Sequence, residues 1–157
     1  MPIKMLPALA AALLAAAAAS AQTAPSAATS ATPAVPATTG PRIDPQALHI
    51  ALSSLLLAAT KMAVEEVLRK TGHAPDSNAA AHVGAPDYLT SSEISSITVR
   101  QGGVLDVHFT SAVSHDLVRV RLRPVREGDA IQWSCTSPDI VQIQAVESYC
   151  SYRPDGH

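Results

Sequence analysis

The sequence predicts an α+β fold, in which one long N-terminal α-helix packs on a four-stranded antiparallel β-sheet and a disulfide closes the C-terminal loop. Three observations support this prediction. Apolar residues recur with helical spacing over residues 45–71, the spacing changes to two over residues 97–135, and two cysteines lie near the end of the 157-residue chain. This length fits one domain of ordinary size with a tail.

Composition and charge exclude several classes of protein. The formal net charge is −2, and the chain from Asp44 onward carries nine Lys and Arg against thirteen Asp and Glu. Proteins drawn to nucleic acids or anionic membranes by overall charge are basic, so this balance gives no support to either class. Two cysteines and an aromatic content of 3% also argue against a disulfide-dense miniprotein, a polytopic membrane protein and a coiled coil.

The N-terminal part is predicted to direct export. Residues 1–21 are typical of a signal peptide, with Lys4 before an apolar run and small residues before Gln22. An uncleaved membrane anchor is the alternative, and contact with a membrane is expected only through such a segment. Residues 22–43, rich in Ala, Pro and Thr, are predicted to be a disordered linker, and residues 44–157 the globular domain. Export implies a periplasmic or extracellular protein.

Start and stop signals delimit the helix. Asp44 is a suitable N-cap before Pro45, and Gly72 follows the basic residues of the last turn. The intervening stretch predicts about 27 helical residues, roughly 40 Å of helix. One stripe of apolar residues along it consists of Leu48, Leu52, Leu55, Ala59, Ala63 and Val67.

The first half of this helix is apolar on nearly every side. Residues 47–59 carry no charged side chain, and a helix of this kind must be covered on all faces. Either the sheet of the domain covers it, or it docks against another copy, a filament or a membrane surface. The candidate docking residues are Leu48, Leu52, Leu55 and Leu56.

Alternating apolar and polar residues predict the four strands. Gly102-Gly103 and Gly128-Asp129 mark tight turns, and the short connections favour an antiparallel meander. The side chains expected to face the helix are Ile97, Val99, Leu105, Val107, Phe109, Val118, Val120, Leu122, Ile131, Trp133 and Cys135.

The two cysteines are predicted to form a structural disulfide. Cys135 and Cys150 are an even pair in a chain expected to be exported, and they lack the CxxC spacing of redox enzymes. A loop of about 15 residues closed in this way contributes roughly 3 kcal/mol by the chain-entropy model.

Several of these segments together resemble the globular domain of a type IV pilin. The similarity covers residues 58–150 approximately and is most specific in Trp133-Ser134-Cys135 followed by the second cysteine in Tyr149-Cys150. The other matching segments are residues 61–67 and Thr71-Gly72 at the helix end, the loop of residues 75–84, and the hairpin of residues 95–104.

The resemblance carries implications about surface and assembly. In type IV pilins the cysteine pair encloses an exposed segment that contributes to surface recognition. Their short charged leader ends in Gly-Phe before a highly apolar helix, whereas here a signal sequence and linker precede the helix. The resemblance therefore implies a soluble, exported pilin-like domain with a shortened helix.

A row of arginines is the candidate ligand or partner face. Arg119, Arg121 and Arg123 alternate along one strand, and Asp106 and His108 are expected on the same face of its neighbour. One interpretation is a solvated face with cross-strand ion pairs. The other is a site for DNA phosphates, a sugar acid or an acidic partner.

No signal for catalysis, a metal ion or a cofactor accompanies these features. The six histidines are scattered without ligand spacing, and Ser114-His115-Asp116 are sequence neighbours, which cannot converge as a triad. We therefore expect a non-enzymatic structural or adhesion module of type IV pili. It would contact pilin subunits, pilus assembly proteins or a second copy of itself. The alternative is an exported ligand-binding module whose arginine face holds DNA or an acidic glycan.

Overall fold

The computed structural model describes residues 40–154. The predicted signal peptide of residues 1–21, and all but the last four residues of the predicted linker, lie outside this range. Ile43, the final linker residue, forms an isolated β-bridge with Ser114 and packs against the core. The polypeptide is therefore tied to the domain from this point onward.

The helical region begins and ends where the capping signals predict. Helix α1 spans Pro45–Leu52 and helix α2 spans Leu55–Thr71. The Asp44 carboxylate accepts hydrogen bonds from the backbone N–H groups of Gln46 and Ala47, and Gly72 ends α2 in the left-handed conformation.

Ser53 and Ser54 interrupt the otherwise continuous helix. Ser54 has an extended backbone, with ψ at 149°, and its hydroxyl caps α2 by accepting from the Leu57 N–H. This break changes which residues face the core. In α2 the buried stripe is Leu57, Thr60, Val64 and Leu68. It is displaced from the predicted Leu55, Ala59, Ala63 and Val67 by two positions in the first turn and by one position after that.

The sheet contains five strands in sequential order, one more than predicted. The first four strands are antiparallel, and the fifth pairs with β4 in parallel. Because the last strand is only three residues long and enters from the cysteine-closed loop, it leaves no recognisable alternation in the sequence. The strands are β1 (Ile94–Arg100), β2 (Val104–Phe109), β3 (Arg119–Glu127), β4 (Ala130–Ser137) and β5 (Cys150–Tyr152).

The core lies between the helices and one face of the sheet. Leu48, Leu57 and Val64 are at most 1% exposed and belong to one cluster with the inward residues of the strands. At the margin, the Trp133 indole N–H donates to the Glu65 carboxylate over 2.7 Å, and the Lys61 ammonium lies 5.4 Å from the centre of the indole ring. The α+β architecture with one helical rod on the sheet is confirmed.

The edge strand β1 is covered by a loop side chain. Asn78 is buried, and its amide oxygen accepts from the Val99 N–H over 2.7 Å. Its amide nitrogen donates to the carbonyl oxygens of Ile97 and Gly84. The loop after α2 therefore satisfies backbone groups that an edge strand would otherwise expose.

The helical run Pro45–Thr71 is long and apolar enough to cross a membrane, judged by length and composition alone. The mean hydropathy of its most apolar window is 1.6, and 28% of that window is buried within the protein. The same run supplies Leu48, Leu57 and Val64 to the core.

Candidate functional site

The alternation along β3 places its arginines on the sheet face opposite the helices. Val120 and Leu122 are buried beneath the sheet, so Arg119, Arg121 and Arg123 lie on the outer face. The predicted neighbours are adjacent in register. Arg121 pairs with Asp106 of β2, and Arg119 pairs with His108.

A groove of about 820 Å³ lies on this outer face, and five arginines line it. Arg119, Arg121 and Arg123 come from β3. Arg100 joins them from the end of β1, and Arg153 from the residues after β5. His108 lies beside the groove and does not line it.

Two carboxylates lie among these guanidinium groups. Asp106 is 5% exposed, and its oxygens are 3.8 Å from both the Arg100 Nε and the Arg121 Nε. The Asp139 carboxylate is 3.4 Å from the Arg119 Nε and also accepts the Arg119 backbone N–H over 3.0 Å. Among the residues described, Arg123 and Arg153 have no carboxylate within ion-pairing distance.

The disulfide forms one side of the groove. Cys135 and Cys150 are bonded and are also register partners in the parallel β4–β5 pair. Cys135 lines the groove together with Tyr149 and Ser151, which flank the second cysteine. The covalent bond therefore holds the C-terminal strand against the arginine face.

The loop closed by the disulfide is anchored to the helix as well. Glu147 is buried, and its carboxylate is hydrogen-bonded to the Nδ1 atom of His49 on α1 over 2.5 Å. Burial raises the pKa of the neighbouring Tyr149 phenol above its usual value of 10.0, and the Glu147 charge acts in the same direction. Tyr149 is therefore neutral at the groove margin at physiological pH.

The candidate docking leucines separate into different environments. Leu48 is completely buried in the domain's own core and is inaccessible to a partner. Leu52 and Leu56 are half-buried against that core, whereas Leu55 is 88% exposed. Of the four leucines, only Leu55 exposes most of its side-chain surface to solvent.

The structure adds neighbours that extend the apolar surface around Leu55. Met62 is 69% exposed, and Ala58 and Ala59 between them are also exposed. Positions 55, 59 and 62 lie on one face of α2, about 180° from the buried Leu57 and Val64. We call Leu55, Ala58, Ala59 and Met62 the exposed stripe.

Sequence reasoning missed Arg100 and Arg153 as residues of the groove, whereas Met62 belongs to the apolar segment of residues 55–62 that was expected to dock. The position of Arg100 just before the Gly102-Gly103 turn was a usable signal, because β1 and β2 pair there. Arg153 had no such signal, since β5 was not predicted. Within residues 40–154, no three His, Cys, Asp or Glu side chains cluster as metal ligands would.

Comparison with known proteins identifies the family. A family model described as pilin, of a bacterial filament, matches residues 50–155, which covers the last turn of α1, all of α2 and every strand. No curated protein matches the chain significantly. The family is structural, and its filaments imply an exported, surface-associated protein. The arrangement of helix, sheet and disulfide agrees with this match, so the chain belongs to the family of pilins, the subunits of bacterial filaments.

Proposed function

We propose that this protein is a non-enzymatic structural subunit of type IV pili, and that it contacts neighbouring pilin subunits through the exposed stripe. The observation that carries the proposal is an uncharged, apolar helix surface directly opposite the core-facing side of α2. A helix of a single soluble domain normally presents charged or polar residues there.

Burial of the stripe would supply a useful part of the association free energy. A leucine side chain transferred from water to an apolar interface contributes about 1.5–3 kcal/mol. Leu55, 88% exposed, would gain most of this on contact with another subunit. Beyond Met62 the same helix face continues with Glu66 and Lys70, which are paired to each other, so the apolar surface has a charged boundary.

The partner is a second pilin rather than an enzyme substrate. Family membership supports assembly with other subunits. The signal peptide of residues 1–21 would deliver the protein to the periplasm, and incorporation into a filament would carry the domain outside the cell. The cysteine-closed loop, exposed at Tyr149, is the surface we assign to adhesion contacts.

The substitution Leu55→Glu tests the assignment of the stripe. Position 55 is the first residue of α2, where a carboxylate interacts favourably with the helix dipole, so the variant should fold at least as well as the parent. Leu117→Glu is the matched control, because Leu117 is 94% exposed and lies outside the stripe. Both variants are expressed as the full precursor, and sheared surface filaments are separated from the periplasmic fraction.

We expect the parent and Leu117→Glu proteins in the filament fraction. The amount of Leu55→Glu protein there should fall roughly tenfold to a hundredfold, in line with the loss of one buried leucine. Equal incorporation of Leu55→Glu would refute the role of the stripe. Absence of the parent protein from every filament preparation would refute the function as a pilus subunit.

A further inference from the structure

The arginine groove has an excess of positive charge on an otherwise acidic protein. Among residues 40–154, five guanidinium groups line it, and the carboxylates of Asp106 and Asp139 compensate two of them, which leaves an excess of three positive charges. The whole chain has a formal net charge of −2. Clustered arginines repel one another, which lowers the stability of the folded protein, and a bound anionic ligand would reduce this repulsion.

Incomplete hydrogen bonding distinguishes the groove from the rest of the described domain. Across residues 40–154, the buried side-chain polar atoms without a hydrogen-bond partner are Asp106 Oδ1 and Arg119 Nε. Both residues line the groove. The two atoms differ in what they offer a ligand. Arg119 Nε is a donor that an oxyanion can accept from, whereas Asp106 Oδ1 is an acceptor and lies 3.8 Å from the Arg121 Nε.

The dimensions of the groove favour a compact ligand over a polymer. Its volume of about 820 Å³ falls in the range typical of small-molecule sites, about 300–1,000 Å³. Of the described residues that line it, Tyr149 alone is aromatic, and this part of the chain provides no stacking platform for successive bases.

The elements that carry the arginines are held in place by the fold. Arg121 and Arg123 pair in register with Thr136 and Ser134 of β4, and the disulfide fixes the strand that precedes Arg153. The strands therefore fix where each arginine side chain begins, and the planar guanidinium forms bidentate hydrogen bonds with oxyanions.

We propose that this groove binds a compact ligand with at least two oxyanion groups, either phosphate or carboxylate. Arg123 and Arg153 would contribute the principal contacts, because no carboxylate of the described residues pairs with them. Arg100 and Arg121, held by Asp106, would orient the second anionic group. The site is separate from the exposed stripe and does not depend on assembly through it.

Calorimetric titration of the purified full mature chain tests the proposal, with pyrophosphate and citrate as probes at low salt. The double variant Arg123→Ala/Arg153→Ala should weaken binding of the preferred probe by at least about tenfold, as expected for lost charged hydrogen bonds. Arg126→Ala is the matched control: Arg126 lies on the same strand, is exposed and does not line the groove. We expect the affinity of the Arg126→Ala protein for the probe to remain within about twofold of that of the parent.

The probes also identify the source of the ligand. Preference for pyrophosphate indicates a phosphate ester, and preference for citrate indicates a carboxylate-rich ligand such as a sugar acid. Chemical-shift changes centred on Ser134, Thr136 and Tyr149 should accompany binding. The proposal is overturned if neither probe binds, if Arg126→Ala weakens binding as much as the double variant, or if only duplex DNA or a long polyuronate is retained.

Discussion

The turn between β1 and β2 allows a direct test of how closely the helix packs on the sheet. Gly102 and Gly103 both have positive φ angles, 78° and 72°, so alanine is strained at either position by about 1–2 kcal/mol. Their surroundings differ. A Cβ atom on Gly102 would meet nothing within 4 Å, whereas one on Gly103 would lie 2.9 Å from the Val64 Cγ1 atom.

This difference predicts unequal costs for the two alanine substitutions. Val64 is completely buried on α2 and cannot move into solvent, and the new methyl group would also be 3.2 Å from Pro124 Cγ. Overpacking of this kind costs about 1–3 kcal/mol. Gly103→Ala should therefore reduce the free energy of unfolding by about 2–5 kcal/mol, and Gly102→Ala by about 1–2 kcal/mol.

Urea denaturation followed by far-ultraviolet circular dichroism measures both values, with the disulfide kept oxidised. Gly102→Ala serves as the control for backbone strain, so the difference between the two variants isolates the contact with Val64. Equal losses within about 0.5 kcal/mol would refute the close packing of α2 on this turn, because additivity errors are of that size.

Two further predictions concern the disulfide and one helix ion pair. Replacement of both Cys135 and Cys150 by serine should lower the free energy of unfolding by roughly 3 kcal/mol, since the bond closes a loop with a sequence separation of 15. Urea denaturation measures this loss, and an unchanged midpoint would contradict the prediction. The hydrogen bond and charge of Lys70 lower the pKa of Glu66 below its usual value of 4.5. Because the folded pKa lies below the unfolded one, the stabilisation is present above the unfolded pKa and is lost as the pH falls through the folded value. Carboxyl NMR titration should show this low pKa in the parent and a higher one in Lys70→Ala; the same Glu66 pKa in both proteins would be evidence against the pair.

Local signals accounted for the elements that depend on neighbouring residues. The cap at Asp44, the exit at Gly72 and the Gly102-Gly103 turn each use conformational preferences of one or two residues, and all three occur where expected. The cysteine pair was inferred from number and spacing, and the disulfide between Cys135 and Cys150 is confirmed.

Long-range contacts decided the features that the sequence pattern could not resolve. The break at Ser54 shifts the buried stripe of α2 by one to two positions, because a short extended segment resets the helical phase. As a result Leu57 enters the core and Leu55 faces outward. Where nearly every residue is alanine or leucine, the spacing of apolar residues does not distinguish the buried face of the helix from the exposed one.

The sequence by itself determined the α+β class, the helix ends, the outward row of Arg119, Arg121 and Arg123, and the likeness to a pilin, since these depend on local preference and strict alternation. The tertiary structure decided which arginines share a groove. Arg100 and Arg153 are 53 positions apart in the numbering, and they line one groove because the strands pair in sequential order and β5 adds to β4. Contacts between residues so distant in the chain have no local signature, because they arise from the order in which the strands pair.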